Sequence, residues 1–388
     1  MASDETKQTI TEARKKIAES RTQQGQQRFK QALDTLNEAL ALVDGLEEES
    51  DDVTEARLTV QADLALLMQR LRDPRAALEH YREAIRLGES LPLDGADGRY
   101  RLHLATTLIN VAGLYARERM IDDGLEAAQR AADLVDGIEG KLAPSARALR
   151  VGALQNRASL EMESRDLAAA EATLAEAWSL GDDAVNEGAS QLVPQVIDIG
   201  MRMSGLLRRQ NRPADAIPYA DRAGRLAEAV YETGSPLGPR LYTGTQLQLV
   251  DVHFSTKNFA RAEDHLFKAV EVTSGTPQAG ETLLIGTSFY FSLLRLDDET
   301  LASGDLPRDE AVDALDELVD QITTLKAPEV LTEIIRGRRA AIVDRDLDEA
   351  KRIASSMGGR DFSSIPVASQ LVPLLRADVE WLEKLGSN

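Results

Sequence analysis

The stretch LINVAGLYARERMIDDGLEAAQRA, residues 108–131, carries the pattern that decides the fold. Its second half places small side chains at Gly124, Ala128 and Ala131, four and three residues apart, which lines them up on one face of a helix. The same register recurs along the chain. A first column reads Ala32, Ala77, Gly124, Ala170, Ala216 and Ala262; a second reads Leu36, Tyr81, Ala128, Leu174, Ala220 and Leu266; a third reads Ala39, Ala84, Ala131, Ala177, Ala223 and Ala269. Successive members of the third column are 45, 47, 46, 46 and 46 residues apart. An unbroken column of alanine at one nominated position is a structural repeat and not composition noise.

The first half of the stretch supplies a second helix. Twelve residues before the first column stand Ser20, Ala65, Ala112, Ala158, Ser204 and Val250, all small except the last. Small side chains on two neighbouring helices let the axes approach closely, as an antiparallel pair with a tight crossing requires. Turn and cap signals fall between the two. Asp73-Pro74 offers an N-cap followed by proline at the first helical position, where the missing N–H costs nothing. Asp166, Asn211-Arg212-Pro213 and Asn258 occupy comparable places. Stretches rich in Gly, Pro and Asp at Leu91–Gly98, Gly181–Ser190, Thr233–Arg240 and Ser274–Gly280 read as loops between one pair and the next.

This arrangement resembles the tetratricopeptide repeat family. Leu108, Val111-Ala112, Tyr115, Gly124, Ala128 and Ala131 match the family's spacing of positions on its helices A and B, and Ala77-Tyr81-Ala84 is a good helix B match. The period of about 46 exceeds the common 34, so both helices are longer. Acidic residues (Asp44, Glu89, Asp136, Asp182, Glu228) stand where the family's proline closes helix B. Long-unit varieties, such as those in kinesin light chains and bacterial peptide-sensing regulators, are the nearer analogues. The resemblance implies an all-α chain: a right-handed superhelical solenoid of antiparallel helix pairs. Residues 1–270 would form six regular pairs, and 271–388 one or two degenerate pairs plus a C-terminal capping helix. The seventh pair would use Glu281–Leu301 and Arg308–Leu325, the eighth Pro328–Val343 and Asp346–Met357. The cap would be Val367–Leu385, covering the last exposed core.

Composition agrees. Hydrophobic residues make up 43% and aromatics only 4%, with Ala and Leu dominant, which favours helices over strands. A formal charge of −20 argues against nucleic acid, whose phosphates demand a basic face. There is no cysteine, which excludes disulfides, thiolate metal sites and cysteine nucleophiles. The Met1–Glu5 start is polar, without the apolar core of a signal peptide, and no apolar run spans a bilayer. A cytoplasmic protein without membrane insertion is expected.

Catalytic and cofactor signatures are missing: no phosphate loop, GxGxxG, HExxH or GxSxG. His80, His103, His253 and His265 are scattered, and none has metal-ligand spacing to two others. Neither an enzyme, a cofactor nor a metal is expected. The acidic run Glu47–Asp52 reads as a hydrated loop or, alternatively, as a docking element for a basic partner. Phe289, Tyr290 and Phe291, with the isolated Trp178 and Trp381, read as core packing.

One polar column stands out. Two residues before the small position of helix A come Asp63, Asn110, Asn156, Arg202 and Gln248. The resemblance places this column on the concave face, where the family grips the backbone of an extended peptide. A ladder of amides suits that task, because an extended strand repeats its peptide groups. Seven residues further on stand Arg70, Arg117 and Arg209, interrupted by Glu163, and Arg208 adds to the basic character there. These arginines would steer an acidic segment or a C-terminal carboxylate. Three readings follow. The first is an adaptor that binds a protein or peptide partner in a concave groove. The second is a sensor whose effector changes the array and controls a separate enzyme or transcription factor. The third is a scaffold that self-assembles into a homo-oligomer through its terminal repeats.

Overall fold

At six equivalent places in the repeat the backbone passes through a left-handed residue that is not glycine. These are Gln27, Arg72, Arg119, Arg165, Asn211 and Lys257, with φ between 57° and 64°. Each lies five residues before the first small column, and a helix starts two residues after it. The N–H following the left-handed residue bonds back five residues, as from Arg28 to Gln23 and from Asp166 to Glu161, both at 2.9 Å. This closure satisfies the last carbonyls of helix A and turns the chain into helix B. Caps reinforce it: the Asp73 and Asp166 carboxylates each accept from the N–H three residues on, at 3.0 Å. Asn258 and Arg212 stand at N-caps without such a bond, and Asn211 is the left-handed residue just before Arg212.

The computed structural model describes residues 3–94, 98–325, 327–363 and 365–386. Met1 and Ala2 of the polar start, and residues 95–97 of the Leu91–Gly98 loop, lie outside them. All regular structure among the described residues is helical. No described helix is long and apolar enough to cross a membrane. The chain divides into two compact units, Met1–Leu206 and Leu207–Asn388.

The first unit stacks α1 (Asp4–Gly25) with α2 (Phe29–Asp44), α3 (Asp51–Arg70) with α4 (Pro74–Glu89), α5 (Arg99–Arg117) with α6 (Ile121–Val135), and α7 (Ala143–Glu163) with α8 (Leu167–Asn186). It then takes in most of α9 (Val193–Arg209). Each hairpin packs along its length, and each B helix packs on the next A helix. The predicted columns are where the helices touch: Ser20, Ala65, Ala112 and Ala158 on the A side, and Ala32, Ala39, Ala77, Ala84, Ala131, Ala170 and Ala177 on the B side, are buried. Leu36, Tyr81 and Leu174 fill the space the small residues leave. The B helices bury one face only; the A helices carry buried residues around more of their circumference. The acidic run is partly used inside this unit: Glu48 accepts from the Ser3 N–H at 3.0 Å and the Thr6 hydroxyl at 2.6 Å, tying α1 to the α2–α3 loop.

The second unit holds α10 (Pro213–Glu232), α11 (Gly238–Ser255), α12 (Phe259–Thr273), α13 (Ala279–Leu293), the short α14 (Asp298–Ser303), α15 (Arg308–Thr324), α16 (Glu329–Arg339), α17 (Leu347–Ser356) and α18 (Pro366–Gly386). The long helix expected over Glu281–Leu301 stops after Leu293, because Asp297 caps a new helix by accepting from the Thr300 N–H at 2.7 Å. The helix expected over Pro328–Val343 ends in a wider turn at Ala340–Asp344, whose i→i+5 bonding leads to a left-handed Arg345. Phe289, Tyr290 and Phe291 are buried in the core of this unit. α18 lays Ala368, Leu371, Leu375 and Val379 over α16 and α17. It is anchored by a buried charge cluster. Asp378 is fully buried, 2.6 Å from Arg338 and 3.4 Å from Arg295, and the Arg338 guanidinium lies 4.6 Å over the Phe291 ring.

Candidate functional site

Within the first unit α1, α3, α5 and α7 pack side by side, whereas their B partners stand further apart. The A layer is therefore the tighter one and lines the inside of the unit's curve. A groove of about 380 Å³ opens on it, crossing α3, α5, α7 and the start of α9. Its walls are amide-rich: Gln69, Asn110, Gln155, Asn156 and Gln195, with Arg117 at one end. Its floor includes two mid-helix glycines. A β-carbon at Gly113 would meet only the Asn156 amide nitrogen at 3.7 Å, and one at Gly152 only the Gln195 amide nitrogen at 3.7 Å and Ile109 at 3.9 Å. The missing side chains leave the amides uncovered.

These polar groups fall into two sets. Some stitch the repeats together. The Asn156 amide donates to the Ile109 carbonyl at 2.8 Å, from α7 to α5. The Gln155 amide donates to Asp198, and Arg117 donates to Gln69. Gln69 in turn donates to the Tyr81 hydroxyl at 2.6 Å, where burial pushes the phenol's pKa up and keeps it neutral. Others are free: the side chains of Asn110 and Gln195 make no hydrogen bond with the described residues, and the Asn156 carbonyl oxygen is likewise available. Donors and acceptors stand ready together on one wall, which is the equipment needed to satisfy peptide groups of another chain.

The predicted column divides in the same way. Asn110 and Asn156 line the groove. Asp63 does not: it is buried and held by Arg21 through two bonds of 2.8 Å. Arg202 bonds Asp198 at 2.6 Å and the Ser159 hydroxyl at 3.0 Å. In the second unit Gln248 is half-buried on α11, Arg208 pairs with Asp251 at 2.8 Å, and Arg209 is exposed. Arg70 and Arg117 are exposed at the ends of α3 and α5 and, among the described residues, have no carboxylate partner. Of the carboxylates on this inner face, Asp63, Asp198 and Glu55 are engaged, whereas Glu163, in the arginine column at the end of α7, is exposed. Beyond Asp63 and Asp198, Glu55 lies 3.0 Å from His103 and 3.4 Å from Arg99. Burial pushes the Glu55 carboxyl up, but the His103 hydrogen bond and the His103, Arg99 and Arg14 charges outweigh it and leave it below the usual range. On a chain of net charge −20, Arg117 is, among the described residues, the one charged residue that lines the groove.

Among the described residues no group of three His, Asp or Glu side chains is gathered to hold a metal ion. His253 and His265 stack on each other with ring centroids 5.3 Å apart. The structural repeat and its solved counterparts agree. The chain is similar to the apo form of RapI, at 13% identity and a TM-score of 0.59, over 97% of this chain and 99% of that one. The chain has a tetratricopeptide-like repeat fold. A second similar structure is the Pyrococcus horikoshii signal transduction ATPase with numerous domains that has a tetratricopeptide repeat sensor. It is 10% identical with a TM-score of 0.54, over 89% of this chain and 54% of that one. A family of unknown function (DUF6483) matches residues 206–323. A search of curated proteins found no match. Within this tetratricopeptide-like frame the free amides lie on helix A positions of the first unit.

Proposed function

We propose that this protein is a non-catalytic, cytoplasmic adaptor whose first unit holds a segment of a partner protein in the amide-lined groove. One observation carries the reading: free amides at Asn110 and Gln195 face a glycine-floored groove with Arg117, which has no carboxylate partner among the described residues, at one end, and the exposed Arg70 stands at the equivalent end of α3. The partner segment is extended and acidic or ends in a carboxylate. Its peptide groups meet Asn110, Asn156 and Gln195, and its negative charge meets the arginines. We further propose that residues 1–270 are the regular helix pairs and residues 271–388 degenerate pairs with a C-terminal cap.

The test is affinity capture from native lysate, run in parallel on the wild type and on the Asn110→Ala, Asn156→Ala double variant, with mass spectrometry of both eluates. Partners held by the wild type should fall on the variant by about ten-fold, the loss of one to two hydrogen bonds. A partner retained equally on both removes the groove from its binding. Arg117→Glu should release the same partner, and high salt should weaken it.

A further inference from the structure

We propose that the second unit carries a separate docking edge for a basic, leucine-bearing segment of a partner protein, between the end of α12, the start of α13 and the end of α15. Here α13 packs on α12 over a short stretch only. The gap is a cavity of about 640 Å³ with Val270, Ala279, Leu283 and Leu325 on its apolar side and Glu317 and Asp320 on its rim. Val270, Ala279 and Leu283 are buried, but Leu325 is 49% exposed.

Topology adds apolar surface to this edge. The loops that lead from a B helix to the next A helix all emerge on one side of a hairpin stack. The preceding loop of this kind, between α10 and α11, exposes Tyr231 and Leu237. Large exposed apolar side chains that flank the cavity's loop, before it at Tyr231 and Leu237 and after it at Leu325, mark an interaction surface more than a solvated one.

Charge selects the occupant. Glu317 and Asp320 stand one turn apart on the exposed side of α15. Their bonds within the chain are to neutral groups: the Gln321 amide donates to Glu317 at 3.3 Å, and the Thr324 hydroxyl donates to the Asp320 backbone carbonyl at 2.9 Å. Neither has an ion-pair partner among the described residues. An arginine or lysine can lay its aliphatic stem over Leu325 while its head meets these carboxylates, and a neighbouring leucine can enter the cavity. An acidic segment is repelled here, so this edge and the groove of the first unit take partners of opposite charge.

The experiment is fluorescence anisotropy of the full chain with a short fluorescein-labelled peptide bearing two leucines and two arginines. Two controls replace its arginines by glutamate or its leucines by serine. The Glu317→Gln, Asp320→Asn variant should weaken binding about five-fold at low salt, as two partly exposed ion pairs allow. Leu325→Ser should weaken it comparably, with helical content and melting temperature unchanged. The Asn110→Ala, Asn156→Ala variant should bind like the wild type. Equal binding of the leucine-free peptide overturns the proposal, because it reduces the effect to general attraction by an acidic surface. Equal binding by the Glu317/Asp320 variant, or loss of binding in the Asn110/Asn156 variant, overturns it too. None of these outcomes depends on whether the groove of the first unit takes an acidic segment.

Discussion

Gly113 and Gly152 should be removable with a gain in stability, and that gain is the sign that they serve the groove. Both stand inside long helices, where glycine is less favourable than alanine by about 0.8–1 kcal/mol. Alanine fits at both places, since its β-carbon meets nothing nearer than 3.7 Å. Each Gly→Ala change should therefore stabilise the first unit by about 1 kcal/mol, or raise its melting temperature by about 2–4 °C. Other glycines behave oppositely. A β-carbon at Gly304 would lie 2.2 Å from the Phe259 ring and 2.7 Å from the Lys257 carbonyl oxygen, so Gly304→Ala should cost about 2 kcal/mol through overpacking. Urea unfolding followed by circular dichroism measures all three. Gly113→Leu keeps the helix but fills the groove; it should abolish partner capture while the melting temperature stays at or above that of the wild type. A destabilised Gly113→Ala, or a Gly113→Leu that captures its partner normally, would refute the reasoning.

Three further outcomes follow from particular contacts. Arg338→Met leaves the buried Asp378 with Arg295 alone at 3.4 Å and should cost about 3–5 kcal/mol, most of which Arg338→Met with Asp378→Leu should restore; chemical denaturation of both variants checks this. Burial and the neighbouring His253 lower the His265 pKa from 6.5 to about 4. Above 6.5 the ring is neutral in both states and its stability is fully present; between 6.5 and 4 the unfolded chain binds a proton that the folded ring refuses. Stability is lost as pH falls through that window, by up to about 3 kcal/mol, and melting curves from pH 7 to 4.5 should be less steep in pH for His265→Gln than for the wild type. Arg165→Gly, at an exposed left-handed turn of φ 64°, should stabilise by about 0.5–1 kcal/mol, and an unchanged or lowered melting temperature would count against it.

The helices were legible because the repeat is written in residues that packing leaves no choice over. Ala39, Ala84, Ala131, Ala177, Ala223 and Ala269 are all fully buried where helices meet. The left-handed turns were not legible, because Gln27, Arg72, Arg119, Arg165 and Lys257 are residue types that carry no turn signal of their own. Their conformation is imposed by the two helices that meet there.

The groove was half legible, and its geometry says why. A column read at fixed register follows one position from helix to helix, but the groove crosses the helices obliquely. It begins at Leu66 and Gln69 on α3, passes Asn110 and Gly113 on α5 and Gln155 and Asn156 on α7, and ends at Gln195 near the start of α9. Relative to the small position of each helix it slips back about one turn per repeat, as neighbouring helices inclined to one another require. The column meets the groove only where the two lines cross, at Asn110 and Asn156. Outside that crossing two of its members meet an opposite charge: Asp63 pairs with Arg21 of the preceding A helix, and Arg202 pairs with Asp198 one turn back on its own helix. Neither partner occupies the column, so no reading of the column alone could pair them. Polar residues on an inner helix face thus serve repeat cohesion by default. In the proposed binding mode, ligand contact falls to those that the oblique path leaves unmatched, above all Asn110 and Gln195.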